Sequence, residues 1–175
     1  MLTKQQKKIH DLGIVHPVWT TEAAHKTGLP LFVACAFLEQ ETGGGNNVYG
    51  HDVNEDGTPR PFWGHGPVTE ANYQAYLRER DLGVREARRF PHLGRRAQGV
   101  GPMQLTWYSY QDEADRLGGC WRPVINMTVG FRIIATDIAA GKSLHQAAKE
   151  YNGKESYAVQ MDTRFSKWRK ITGGL

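Results

Sequence analysis

No run of 18 apolar residues occurs in the chain, so no membrane-spanning helix is expected. The opening stretch MLTKQQKKIH is charged, with no apolar stretch behind it, so a cleavable secretory signal is not expected either. Only two cysteines are present, too few for a disulfide framework. Cys35 sits in an apolar run and reads as a small core residue. Cys120 follows Gly118-Gly119, and a single bridge between the two remains open. Neither thiol stands among residues that would activate it as a nucleophile. There is no internal repeat and no low-complexity tract, which excludes solenoids and biased, unstructured tails.

What is present points to one folded domain over 1–175. The 175 residues suit a single compact unit. Five Trp, seven Tyr and six Phe are far more than a disordered chain carries. Glycine is abundant at 20 residues and gathers in loops, where backbone must approach something closely. The net charge is +4, which favours a polyanionic partner: nucleic acid, anionic lipid or an anionic cell wall. Residues 78–96 hold seven Arg against three acids and so equal the whole excess. Most of these arginines read as a solvated helix face and loop.

The elements are mostly helical. A short helix fits 4–12. Thr20 or Thr21 is placed to cap a helix that runs to Gly28. Pro30 opens LFVACAFLEQET, apolar nearly all round and therefore the expected buried central helix. Thr69 is placed to cap ANYQAYLRER, and Thr106 to cap YSYQDEADRL. Pro123 opens a long helix to Ala140. Ser143 and Gln146 form a capping-box pattern, and a last helix covers about 155–170. Between the central helix and the rest, 43–68 holds seven Gly, three Pro and two His. It reads as a long functional loop with room for a small hairpin. The stretch 97–105 reads as a second Gly-rich loop.

Glu41 is the sharpest candidate for chemistry. It follows Ala34 and Leu38 along one helical stripe at spacings of seven and three. The chain then breaks into Gly43-Gly44-Gly45. A carboxyl at the end of a buried helix, facing a Gly-rich loop, is partly desolvated beside a cleft. Desolvation keeps a carboxylic proton available near neutral pH, as a general acid in glycoside cleavage requires. The competing reading is a surface helix-end glutamate like Glu39.

Motifs downstream add weight. Leu38-Glu39-Gln40-Glu41-Thr42-Gly43 resembles the glutamate motif of goose-type lysozymes and soluble lytic transglycosylases. Gly101-Pro102-Met103-Gln104-Leu105 resembles their Gly-Leu-Met-Gln motif, with Pro102 where Leu is usual. Glu150-Tyr151-Asn152-Gly153 resembles their Tyr-Asn motif. A closer likeness covers nearly the whole chain. Val48-Tyr49-Gly50-His51-Asp52, Val68 to Tyr73, Gly99 to Trp107, Gly118 to Pro123 and Val129-Gly130-Phe131 resemble the lysozyme-like catalytic domain of endolysins from actinobacterial phages.

The resemblance implies a mostly α (α+β lysozyme-like) fold and cleavage of peptidoglycan glycan strands. Glu41 would be the acid. Asp52, eleven residues on, either orients water or holds its loop through backbone N–H groups. The loop here is longer than in the goose-type family. Asp56 and Glu70 are weaker rivals. Gln104 would bind sugar hydroxyls or an acetamido group, and Met103 would lie under a sugar ring or fill core. By family position, Tyr151 and Asn152 would face Glu41 across the cleft; otherwise Asn152-Gly153 is an ordinary helix stop. Tyr49, Trp63 and Trp107 are candidate stacking platforms or core.

Other readings compete. Asp52 to Gly57 matches the first half of a calcium loop, but position twelve is Trp63 instead of Glu. His51 and His65 fit no common zinc spacing. No metal and no cofactor are therefore expected. A basic helical domain also suits nucleic acid, but its arginines are mixed with acids and no known motif is present, so no nucleic-acid partner is expected. A non-catalytic wall-binding module is a third class. Within the enzyme class, water attack gives a muramidase, and attack by the sugar's own 6-hydroxyl gives a lytic transglycosylase. The expected partner is bacterial peptidoglycan, with the chain a monomer. By analogy with the endolysins, the route is host cytoplasm to wall through a holin-made hole.

Overall fold

The computed structural model describes residues 1–50, 66–89 and 96–173. Among these, eight helices and one two-stranded sheet form a mostly α architecture. No helix among the described residues is long and apolar enough to cross a membrane.

Helix α1 (Lys4–Asp11) starts at a capping box: Thr3 Oγ1 accepts from Gln6 N–H and Gln6 Oε1 from Thr3 N–H. Helix α2 (Pro17–Thr27) begins nearly a turn before the expected caps Thr20 and Thr21. Pro17 takes the first helical position, so Thr20 is buried mid-helix and its hydroxyl donates to His16 O (2.9 Å). Helix α3 (Leu31–Thr42) is the central helix, buried at every position from Phe32 to Leu38. Gly43 ends it at φ 64°, with Gly43 N–H on Glu39 O and Gly44 N–H on Leu38 O. Gly44 must be glycine: a Cβ there would lie 2.0 Å from Gly13 O.

Helix α4 (Glu70–Arg89) is capped reciprocally by Thr69 and Asn72 and runs about nine residues past its expected end. Strand β1 (Arg96–Val100) pairs antiparallel with β2 (Leu105–Trp107). The Gly-rich stretch read as a loop is thus a short hairpin, and Tyr49 extends it by bridging Val100. The strands are only five and three residues long, too short for strand propensity to signal the pairing. Because β2 takes Thr106, that residue caps no helix; its hydroxyl donates to Gln104 O, and Trp107 precedes α5 (Tyr108–Arg116). No hairpin falls within the described part of 43–68; there Val48 forms a single bridge with Pro67.

Helices α6 (Pro123–Ala139), α7 (Leu144–Asn152) and α8 (Glu155–Thr172) complete the chain, and the Ser143–Gln146 capping box forms as expected. α8 lies along α3 through the stripe Tyr157, Met161, Phe165 and Trp168, spaced four, four and three apart and all buried. α6 covers α2. Cys35 and Cys120 are both buried and free, so no bridge joins them. Burial pushes the Cys120 thiol up to about 12 and the Cys35 thiol higher, which suits core residues and not nucleophiles.

Candidate active site

A cleft of about 720 Å³ opens at the C-terminal end of α3. Glu41, Gln104, Trp107, Arg132, Tyr151 and Asn152 line it. Five residues singled out from sequence thus meet in one place, drawn from α3, the β1–β2 turn and β2, and the end of α7.

The end of α3 is fixed from two sides. Thr42 Oγ1 donates to Pro102 O (3.0 Å), tying the helix to the turn. Tyr157 Oη donates to Glu41 Oε1. Tyr151, packed edge-on against Phe37 at 5.2 Å, sends its hydroxyl to Met103 O. Burial, and then the negative charge of Glu41, push the phenols of both Tyr151 and Tyr157 well above their ordinary value.

The turn 101–104 is built to be rigid. Asn126 on α6 is fully buried and braces it: Met103 N–H donates to Asn126 Oδ1 (2.9 Å), and Asn126 Nδ2 donates to Val100 O (2.9 Å). Gly101 has φ 75°, and a Cβ on it would meet the Asn126 amide at 2.5 Å. Met103 lies on the bare backbone of Gly130, where a Cβ would meet it at 2.7 Å. Gln104 is the one described non-glycine residue at positive φ, 47°. Its amide nitrogen donates to Val48 O (3.1 Å) and Gly101 O (2.9 Å). Both N–H donors are therefore engaged with backbone, and the amide oxygen is what the group offers a ligand.

Two expectations for the cleft are corrected. Tyr49 is no platform: it is 5% exposed, its ring packs on Tyr76 at 5.8 Å, and its hydroxyl donates to Asn72 Oδ1. Met103 is wholly buried and fills core behind the turn. Trp107 does line the cleft and is 42% exposed. Asn152 is exposed at the end of α7, next to the αL cap Gly153. Glu70 opens α4 and is not among the residues lining the cleft. Asp52, Asp56, Trp63, His51, His65 and the calcium-type pattern 52–57 lie outside the described residues.

Sequence reasoning missed Tyr157 and Arg132. Tyr157 heads the buried stripe of α8, which marked it as core and concealed its hydroxyl. Arg132 stands on α6 and is ion-paired with Glu113 on α5. The cleft's other described carboxylates, Asp137 and Glu150, both pair with Lys142. Among the described residues, no three His, Cys, Asp or Glu side chains converge as metal ligands. Comparison of the chain with family models, curated proteins and solved structures finds no match.

Proposed function

We propose that the chain cleaves the β-1,4 bond between N-acetylmuramic acid and N-acetylglucosamine in bacterial peptidoglycan, with Glu41 as general acid. The observation that carries the reading is Glu41 itself. Its carboxyl stands in the last turn of a helix that is apolar and buried from Phe32 to Leu38, borders a cleft and accepts a hydrogen bond from Tyr157. The substrate class comes from the resemblance of the three motifs to goose-type lysozymes, lytic transglycosylases and phage endolysins. Glu41, Gln104 and Tyr151-Asn152 meeting in one cleft is what such an enzyme needs.

In this mechanism Glu41 gives its proton to the glycosidic oxygen as the bond to the anomeric carbon breaks. Positive charge then spreads over the ring carbon and oxygen. Trp107 offers a face for a sugar ring, and Asn152 offers an amide for an N-acetyl group. Water attack at the anomeric carbon gives a reducing muramic end. Attack by the muramic 6-hydroxyl gives a 1,6-anhydro end, and Glu41, now a carboxylate, takes that hydroxyl's proton.

Among the described residues, the cleft carboxylates Asp137 and Glu150 are both held by Lys142. The anhydro route needs only one carboxyl, whereas the water route calls on a second. Mass spectrometry of products from purified peptidoglycan tests both, with Glu41→Gln as control. Reducing muramic ends that vanish in the variant establish a muramidase. Anhydromuramic ends that vanish establish a transglycosylase. Absence of any Glu41-dependent product refutes glycan cleavage and leaves a wall- or nucleic-acid-binding module.

A further inference from the structure

Resting on that reading, we propose that Lys154 selects the substrate, by pairing with a carboxylate that the glycan strand carries beside the bond to be cut. That carboxylate belongs either to the lactyl group of muramic acid or to the peptide attached to it. Lys154 lines the cleft with Asn152, from the short link between α7 and α8. It is exposed and has no ion pair among the described residues. The charged groups around it are engaged. Of those that line the cleft besides Glu41, Asp137 and Glu150 are bound to Lys142, and Arg132 to Glu113. Glu155, next in the chain, is taken by Lys149 at 2.9 Å and by His145 at 2.8 Å. Among the described residues, Lys154 is therefore the cation of this wall that no carboxylate neutralises.

The fold gives this lysine no work of its own. It holds the N-cap position of α8, with extended backbone at φ −124° and ψ 134°. Ser, Thr, Asp and Asn stabilise a helix from that position, and lysine does not. Its side chain makes no capping bond. A cation there also faces the positive end of an 18-residue helix, which disfavours it. Thr3 and Ser143 hold the same position on α1 and α7, and each closes a capping box. A residue set against its own helix and bordering a cleft finds its reason in what it meets there. The substrate supplies the partner. In a strand bearing peptides, the lactyl carboxyl is amide-bonded and the peptide carries free carboxylates. In a stripped strand the lactyl carboxylate is itself free. A strand of N-acetylglucosamine alone carries neither, so an ammonium in this wall tells the two kinds of polymer apart.

The test measures kcat/KM on soluble peptide-bearing peptidoglycan fragments and on peptide-free glycan, each before and after its carboxylates are converted to methylamides. Wild type is run beside Lys154→Asn, Lys154→Arg and Glu41→Gln, with thermal unfolding followed in parallel. In wild type, amidation of at least one substrate should lower kcat/KM about two- to fivefold, mostly through KM, as one partly exposed ion pair would. The substrate that shows the loss identifies the carboxylate that is read. Lys154→Asn should abolish that difference, and Lys154→Arg should keep most of it. Because asparagine also supplies a cap, Lys154→Asn should unfold at or above the wild-type temperature, so its lost preference does not come from misfolding. Equal wild-type kcat/KM before and after amidation, or a difference that survives in Lys154→Asn, overturns this assignment alone while Glu41→Gln stays inactive. An active Glu41→Gln overturns the glycan-cleaving reading and this assignment together.

Discussion

Replacing Asn126 by Ala should unlatch the turn that carries Gln104. The side chain is fully buried, so no solvent stands ready to replace it. Truncation leaves Met103 N–H without its acceptor and takes one donor from Val100 O, both at 2.9 Å in the intact protein. A buried amide left unpaired costs about 1–3 kcal/mol, and the second lost bond adds about 1 kcal/mol. The sum is about 3 kcal/mol, a large share of the roughly 5–15 kcal/mol that holds a domain together. For a chain of this size that corresponds to a fall in Tm of about 6–12 °C. Urea unfolding gives the free energy directly, and an unchanged m-value would confirm that only the native state was weakened. A loss below about 1 kcal/mol would refute the reasoning. The backbone bonds Gln104 N–H to Gly101 O and Gly101 N–H to Val48 O would then be holding the turn unaided.

Gly130→Ala sets two effects against each other. Alanine gains about 1 kcal/mol in a helix, but its Cβ would sit 2.7 Å from Met103, and overpacking costs about 1–3 kcal/mol. A net loss of up to about 2 kcal/mol is expected from thermal unfolding, and a more stable variant would contradict the packing described. His145→Gln should show its effect through pH. The imidazole bonds Asp162 and Glu155, both at 2.8 Å, and these carboxylates raise its pKa above 6.5 in the folded protein. Its contribution is therefore complete below the unfolded value of 6.5 and disappears as pH rises through the raised folded value. Wild type should unfold at a higher temperature than the variant at pH 6 and at the same temperature at pH 9; a constant gap would count against the clamp.

The helices were legible wherever a local signal sets the boundary. Pro30, Pro123, Gly28, Gly43 and the Ser143–Gln146 box act within a few residues, and sequence reading found them. It failed where tertiary pairing decides. Thr106 looks like a cap, yet it lies in β2, whose pairing with β1 is marked by no local signal. Pro17 started α2 early because a proline at the first helical position outweighs a threonine cap one turn later. At the site, Glu41 stood out because a charge on an apolar stripe is a local anomaly. Tyr157 did not, because a tyrosine at the head of an apolar stripe breaks no pattern, and its partner is 116 residues away in sequence. Tyr49 erred in the other direction: it sits in a motif, but Tyr76 and Asn72 draw it into the core.

The latch between Asn126, Gly101, Met103 and Gly130 has a consequence for how this protein changes over time. The wall behind the cleft and the core of the domain are made of the same atoms, so a substitution in the wall is paid for in folding. The rim is different: Trp107 on β2, Arg132 on α6 and Lys154 just before α8 line the cleft, and none of them is buried. Ligand preference is therefore free to drift at the rim while the wall stays frozen. Related chains with altered specificity should differ at those three positions first.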